Sequence, residues 1–107
     1  MLIVTMNDIP GYRIDEVYGE VVGLTVRTRH VGAQLGAALK SVVGGELRGL
    51  TKQLQESRDE ALARLTEAAE AKGANAIVAM RFDSDEIGQT YQEIVAYGTA
   101  VRITPLS

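Results

Sequence analysis

The sequence predicts an α+β fold of two layers, an antiparallel sheet covered by one short and one long helix. Three observations lead there. Residues 12–28 alternate as one long strand, residues 50–72 carry a single amphipathic helical pattern, and residues 76–103 read as two alternating runs separated by a polar turn. At 107 residues the chain is expected to form one domain over 1–107, burying about two thirds of its unfolded surface.

The elements follow in chain order. Leu2 to Thr5 reads as a short strand, and "NDIPG" supplies turn chemistry through Asn7, Asp8, Pro10 and Gly11. In "YRIDEVYGEVVGLTVRT", Val22, Leu24 and Val26 fall on one face, with Val21, Gly23, Thr25 and Arg27 on the other. Gly19 and Gly23 are the predicted bulge points. "VGAQLGAALKSVVGG" from Val31 has Leu35 and Leu39 at helical spacing and ends in Gly44 and Gly45, which predicts the short helix.

The long helix begins near Leu50 and ends with Lys72 in its last turn and Gly73 just past it. Leu50, Leu54, Ala61, Leu65 and Ala68 form its apolar stripe, with Asp59, Glu60, Glu67 and Glu70 on the far side. Three leucines are too few to hold so long a helix alone, so it must lie on a sheet. The closing half supplies that sheet. Ala76, Val78, Met80 and Phe82 alternate with Ile77, Ala79 and Arg81, and a second run follows from Tyr91 to Ile103. Neither face of these strands is clearly polar. One helical layer covers one side of a sheet, so the semi-apolar second side implies another subunit.

Composition narrows the function. The net charge is −3, without the clustered basic surface that phosphate contacts require, which argues against nucleic acid as a partner. There is no Cys, so disulfides, thiolate metal sites and a Cys nucleophile are excluded together. Aromatic residues are only 5%, with Phe82 the single Phe, while Gly and Ala are abundant. No apolar run approaches the roughly 20 residues of a membrane span, and the start has no basic leader or cleavage site. A cytoplasmic location is the expectation.

Five stretches together resemble one family: "VRTRHVG" at 26–32, "VGGEL" at 43–47, "SRDEALARL" at 57–65, "GANAIVAMRFD" at 73–83 and "EIVAYGTAV" at 93–101. They are similar to the YbjQ-like family of small bacterial and archaeal proteins, described as heavy-metal-binding domains of unknown function. Leu50 is a departure, since the family pattern would place an aromatic residue before Thr51. The resemblance implies a dodecin-like subunit assembled as a ring-shaped homopentamer, with short extra strands reaching between neighbours.

Candidate site residues fall into three groups. Soft metals take thiolate and imidazole ligands, and the chain offers only His30, so no metal ion or other cofactor is predicted. Asp83, Asp85 and Glu86 in "DSDE" lack the spacing and turn glycine of a calcium loop, and read as a solvated acidic turn. Arg27, Arg29 and His30 precede the predicted short helix, where an anion would be favoured, but inter-subunit salt bridges with the acidic helix are the leading expectation. Finally, Arg81, Glu93 and Tyr97 stand among apolar neighbours. A turn centred on Ile87 would place Arg81 opposite Glu93, Asp83 opposite Tyr91 and Ala79 opposite Val95.

The set contains no paired nucleophile and base. The predicted function is therefore a non-enzymatic homo-oligomer holding a small ligand or ion between subunits. The alternative is an enzyme whose active site, around Arg81 and Glu93, is shared between protomers.

Overall fold

The computed structural model describes residues 1–28, 42–43, 46–88 and 91–107. Within these, β1 (Leu2–Ile3), β2 (Tyr12–Thr28), β5 (Ala76–Ile87) and β6 (Tyr91–Pro105) form one sheet in the order β1-β5-β6-β2. The helix α1 (Arg48–Ala71) lies across β2 and β6. A separate antiparallel pair, β3 (Val42–Val43) with β4 (Glu46–Leu47), precedes it. The sheet is mixed rather than antiparallel throughout, because β1 runs parallel to β5.

The predicted short helix over residues 31–45 lies mostly outside the described residues. Its last residues, Val42 and Val43, are extended, as two consecutive β-branched side chains favour. The long strand occupies 12–28 as read from its alternation. One of its register shifts falls between Val17 and Gly19, at one of the two predicted bulge points.

Gly23, the other predicted bulge point, has a different role. A Cβ there would collide with the backbone of Ala61 and Leu65. The missing side chain lets α1 sit directly on β2. Ser57, Ala61, Leu65 and Ala69 line the buried side of the helix, at intervals of four residues. Compared with the predicted stripe, the contact is rotated toward the small residues, and Leu54 stays 43% exposed. The close approach brings Thr25 Oγ1 to donate to Ser57 O at 3.4 Å, while Ser57 Oγ donates to Gln53 O at 3.0 Å. The helix closes as a Schellman cap, Ala74 N–H to Ala69 O and Gly73 N–H to Glu70 O, with Gly73 at φ 87°.

The core under the helix joins Val21, Leu65, Ile77, Ile94 and several alanines. Leu65 is 0% exposed. Its truncation to Ala is expected to cost about 2 to 5 kcal/mol, measured by urea unfolding, whereas a cost below about 1 kcal/mol would place that helix face in solvent.

A bulge divides β5. Pairing shifts between Val78 and Arg81, and Ala79 takes φ 54°, a left-handed conformation costing a non-glycine residue roughly 1 to 2 kcal/mol. Two bonds from the N-terminal segment hold it, Ala79 N–H to Met6 O at 2.7 Å and Met80 N–H to Val4 O at 3.1 Å. Gly98 on β6 clears the space, because a Cβ there would stand 2.7 Å from Ile77 Cγ2. The extra residue reverses the alternation. Ala76 and Val78 face away from the helix with Ile9, Val101 and Ile103, whereas Met80 and Phe82 join Ile77 on the helix side. The single face predicted for Ala76, Val78, Met80 and Phe82 is thus split in two.

Asn75 extends the sheet with its side chain. Its Oδ1 accepts from Ile103 N–H at 2.7 Å and its Nδ2 donates to Ile103 O at 2.9 Å, completing β6 where β5 has not yet begun. Asn75→Leu strands both backbone groups, and unfolding titrations should show a loss of about 1 to 3 kcal/mol. At the same end of the sheet, Arg13 beside Asp15 holds its carboxyl below the usual range, and the Thr104 hydroxyl adds to this. That support is present above the ordinary carboxylate pKa and is lost as pH falls through the lowered value.

Candidate functional site

Among the described residues, the side of the sheet turned away from α1 is covered only at one end. There the segment from Val4 to Ile9 crosses it and seals Ala76, Val78, Val101 and Ile103. Beyond that seal the described residues leave the face open. Directly opposed residues of an antiparallel pair share a face, so the register assembles it in rows. Val22, Tyr97 and Arg81 form the first row, Leu24, Val95 and Asp83 the second, and Val26, Glu93 and Asp85 the third. Val22, Leu24 and Val26 are 42%, 42% and 49% exposed, side by side on one strand.

β2 therefore turns three aliphatic side chains outward and gives the helix Val21, Gly23 and Thr25. Composition alone would have chosen the opposite side for the helix. The alternation was visible in the sequence, but which side the helix takes depends on Gly23, where only a residue without a Cβ admits its backbone.

The acidic "DSDE" run is strand rather than turn, since every residue from Arg81 to Ile87 has a partner on β6. The real turn lies after Ile87. The predicted partners of Arg81 and Asp83 consequently move by four residues, and Ala79, in the bulge, does not pair with Val95. Arg81 faces Tyr97, Asp83 faces Val95 and Asp85 faces Glu93. Arg81 and Glu93 share the open face but stand four positions apart, roughly 13 Å at strand spacing. The cross-strand ion pair between them does not form in the protomer. The Arg81 guanidinium instead donates to Thr5 O at 2.9 Å and Met80 O at 2.8 Å, fastening the N-terminal segment over the bulge.

Glu93 and Tyr97 line a shallow hollow of about 110 Å³ with Asp83, Asp85 and Val95. Three carboxylates here share one face, with Asp85 and Glu93 directly opposed, a like-charge juxtaposition that disfavours the isolated sheet. Arg27 is elsewhere, on the helix side. It reaches Glu60 at 2.7 Å, and Glu60 also holds Arg64 at 2.6 Å, so the acidic helix neutralises it within one chain. The predicted salt bridge exists, but inside the protomer. Arg29 and His30 lie outside the described residues. The four candidates among the described residues therefore do not converge: Arg81, Glu93 and Tyr97 occupy one face and Arg27 the other.

The chain is similar to known proteins over essentially its full length. A family described as "Putative heavy-metal-binding", YbjQ, matches residues 1–104. A UPF0145 protein from Mycobacteroides abscessus is 61% identical over 106 residues, covering 99% of each chain. A UPF0145 protein from Acidothermus cellulolyticus is 62% identical over 107 residues, covering 100% of this chain and 99% of that one. Among solved structures, a protein of unknown function of the DUF74 family from Pediococcus pentosaceus superposes with a TM-score of 0.67 at 17% identity, over 97% of this chain and 98% of that one. The likeness to that structure concerns the fold.

The family description names heavy metals, and the residues present do not fit them. The chain supplies no thiolate and a single imidazole, whereas soft ions select sulfur and nitrogen donors. Among the described residues no group of three His, Asp or Glu side chains stands close enough to hold an ion. Also among them, no helix is long and apolar enough to cross a membrane. With a family match and close relatives that both run nearly end to end, this chain belongs to the YbjQ family.

Proposed function

We propose that the protein is a non-enzymatic, self-assembling subunit whose open sheet face is covered by neighbouring copies. The row of Val22, Leu24 and Val26, continued by Val95 and Tyr97, carries this reading. Contiguous apolar side chains on a flat sheet mark an interaction surface rather than a solvent face. Its shape adds support. The Cα radius of gyration is 17.2 Å, against about 13 Å for a compact domain of this length. A subunit 55 × 30 × 17 Å in extent has too little interior of its own.

Five is the subunit number, as the family resemblance implies, and a closed ring leaves no subunit with an uncovered face. A small ligand or ion between subunits would draw on Arg81, Glu93 and Tyr97 from the open face, with Arg27, Arg29 and His30 contributed across a boundary. No resident metal is proposed, on the donor set given above.

Native mass spectrometry tests both parts in one experiment. A mass of five chains of 11.5 kDa without retained zinc, copper or cadmium is the expected result. A stable monomer at micromolar concentration would remove the assembly, and a stoichiometric soft metal would overturn the reading of the donor set.

A further inference from the structure

We infer that the groove between the first half of α1 and the β5–β6 hairpin is a binding site for a small planar organic anion, such as an aromatic carboxylate. It lies on the helix side of the sheet, away from the open face, and stands whether or not copies assemble there.

The groove follows from how the helix is seated. α1 is clamped to the sheet where Gly23 receives Ala61 and Leu65, and it crosses β2 and β6. Toward the helix N-terminus, the described residues leave the helix side of β5 uncovered. The resulting space is about 520 Å³, within the range of small-molecule sites. Leu54, Gln55 and Arg58 line it from the helix, and Phe82, Gln92 and Ile94 from the sheet.

Its chemistry has two parts. Leu54, Phe82 and Ile94 make an apolar wall, and Arg58 stands beside it with its guanidinium 5.0 Å from the centre of the Phe82 ring. A guanidinium over an aromatic face is attracted to it while its N–H donors remain available to an acceptor. Of the carboxylates nearest in sequence, Asp59 and Glu60 are engaged, and Glu56, two residues before Arg58, projects from another side of the helix. Glu60 is held by Arg27 and Arg64, and Asp59 Oδ1 accepts from Gln55 Nε2 at 2.9 Å. Asp83 reaches the groove but accepts from Ser84 N–H at 3.2 Å, and strand alternation directs its side chain to the open face.

Among the described residues Arg58 thus has no acidic partner. A guanidinium over an aromatic ring, with no counterion among the described residues, at the edge of an apolar wall, matches a carboxylate that binds by paired N–H···O bonds while its flat body lies on Phe82 and Ile94. An inorganic anion would leave that wall in water, and a neutral ring would leave the cation unmatched.

Calorimetric titration of the purified protein with naphthoate, against neutral naphthylmethanol, tests the site. Naphthoate is expected to bind saturably and about tenfold more tightly than the alcohol, the worth of one charge-assisted hydrogen-bonded pair. Arg58→Met, which keeps the aliphatic stem, should remove that preference, and Ser84→Trp should block both ligands, with circular dichroism checking the fold of each variant. Equal binding by the acid and the alcohol, or a preference that survives Arg58→Met, would overturn the proposal. So would a change of subunit number in Arg58→Met, since the groove would then be filled by a second copy. Failure of the assembly reading shows separately, as a monomer that still binds naphthoate.

Discussion

Gly23→Val is expected to be among the most damaging single substitutions in the chain. The added side chain enters space held by the backbone of Ala61 and Leu65, where no rotamer change can relieve it. Overpacking against side chains commonly costs about 1 to 3 kcal/mol. Here the helix itself must lift, and Ala61, Leu65 and Ala69 lose their burial together. A loss of about 3 to 5 kcal/mol is therefore predicted, a large share of a stability of roughly 5 to 15 kcal/mol. Gly19→Ala is the control. A Cβ there meets nothing within 4 Å, and only φ 94° opposes it, so about 1 to 2 kcal/mol is expected. If the two substitutions cost the same in urea unfolding, the close contact between α1 and β2 is not what holds the helix.

Leu24→Lys should leave the protomer folded and abolish its assembly. Leu24 is 42% exposed in the isolated chain, so its replacement should change monomer stability by no more than about 0.5 kcal/mol. In an assembly the same position is covered. Losing the burial of a Leu there costs roughly 1.5 to 3 kcal/mol per interface, and each 1.4 kcal/mol weakens association about tenfold. An unpaired ammonium against the facing subunit costs more again. Sedimentation velocity should show a folded monomer at concentrations where the unaltered protein is a ring. A ring of unchanged mass would move the interface off this face.

How much of this was legible in the sequence depended on what each element is made of. β2 could be read residue by residue from Tyr12 to Thr28, because alternation over so long a run has few competing explanations. The end of α1 was equally plain from Lys72 and Gly73. The β5–β6 hairpin was recognisable as two strands, but its register was not. "DSDE" has the composition of a turn, and its acids remain in the strand because both neighbouring environments are exposed and charge there carries no desolvation cost.

The bulge at Ala79 left no signature at all. An alanine at positive φ is set by the bonds from Val4 and Met6, which are more than 70 residues away along the chain, and nothing local encodes it. That one residue exchanged the faces of Met80 and Phe82, and so hid the groove in which Arg58 and Phe82 meet. The side of the sheet taken by the helix was hidden for a related reason. Alternation predicts two faces, but the richer face, Val22 with Leu24 and Val26, went to the outside because Gly23 admits a closer backbone on the other.

Assembly through the outward turn of that richer face is directly measurable, because the chain has no cysteine. Leu24→Cys places a single thiol in the middle of the open face, and Glu67→Cys places one on the exposed side of α1 as a reference. Their rates of reaction with an aromatic disulfide reagent, in the native protein, report cover by a second copy. The Leu24→Cys thiol is expected to react far more slowly than the reference and to reach the same rate only on dilution to monomers. Equal rates at concentrations where the protein is assembled would contradict it.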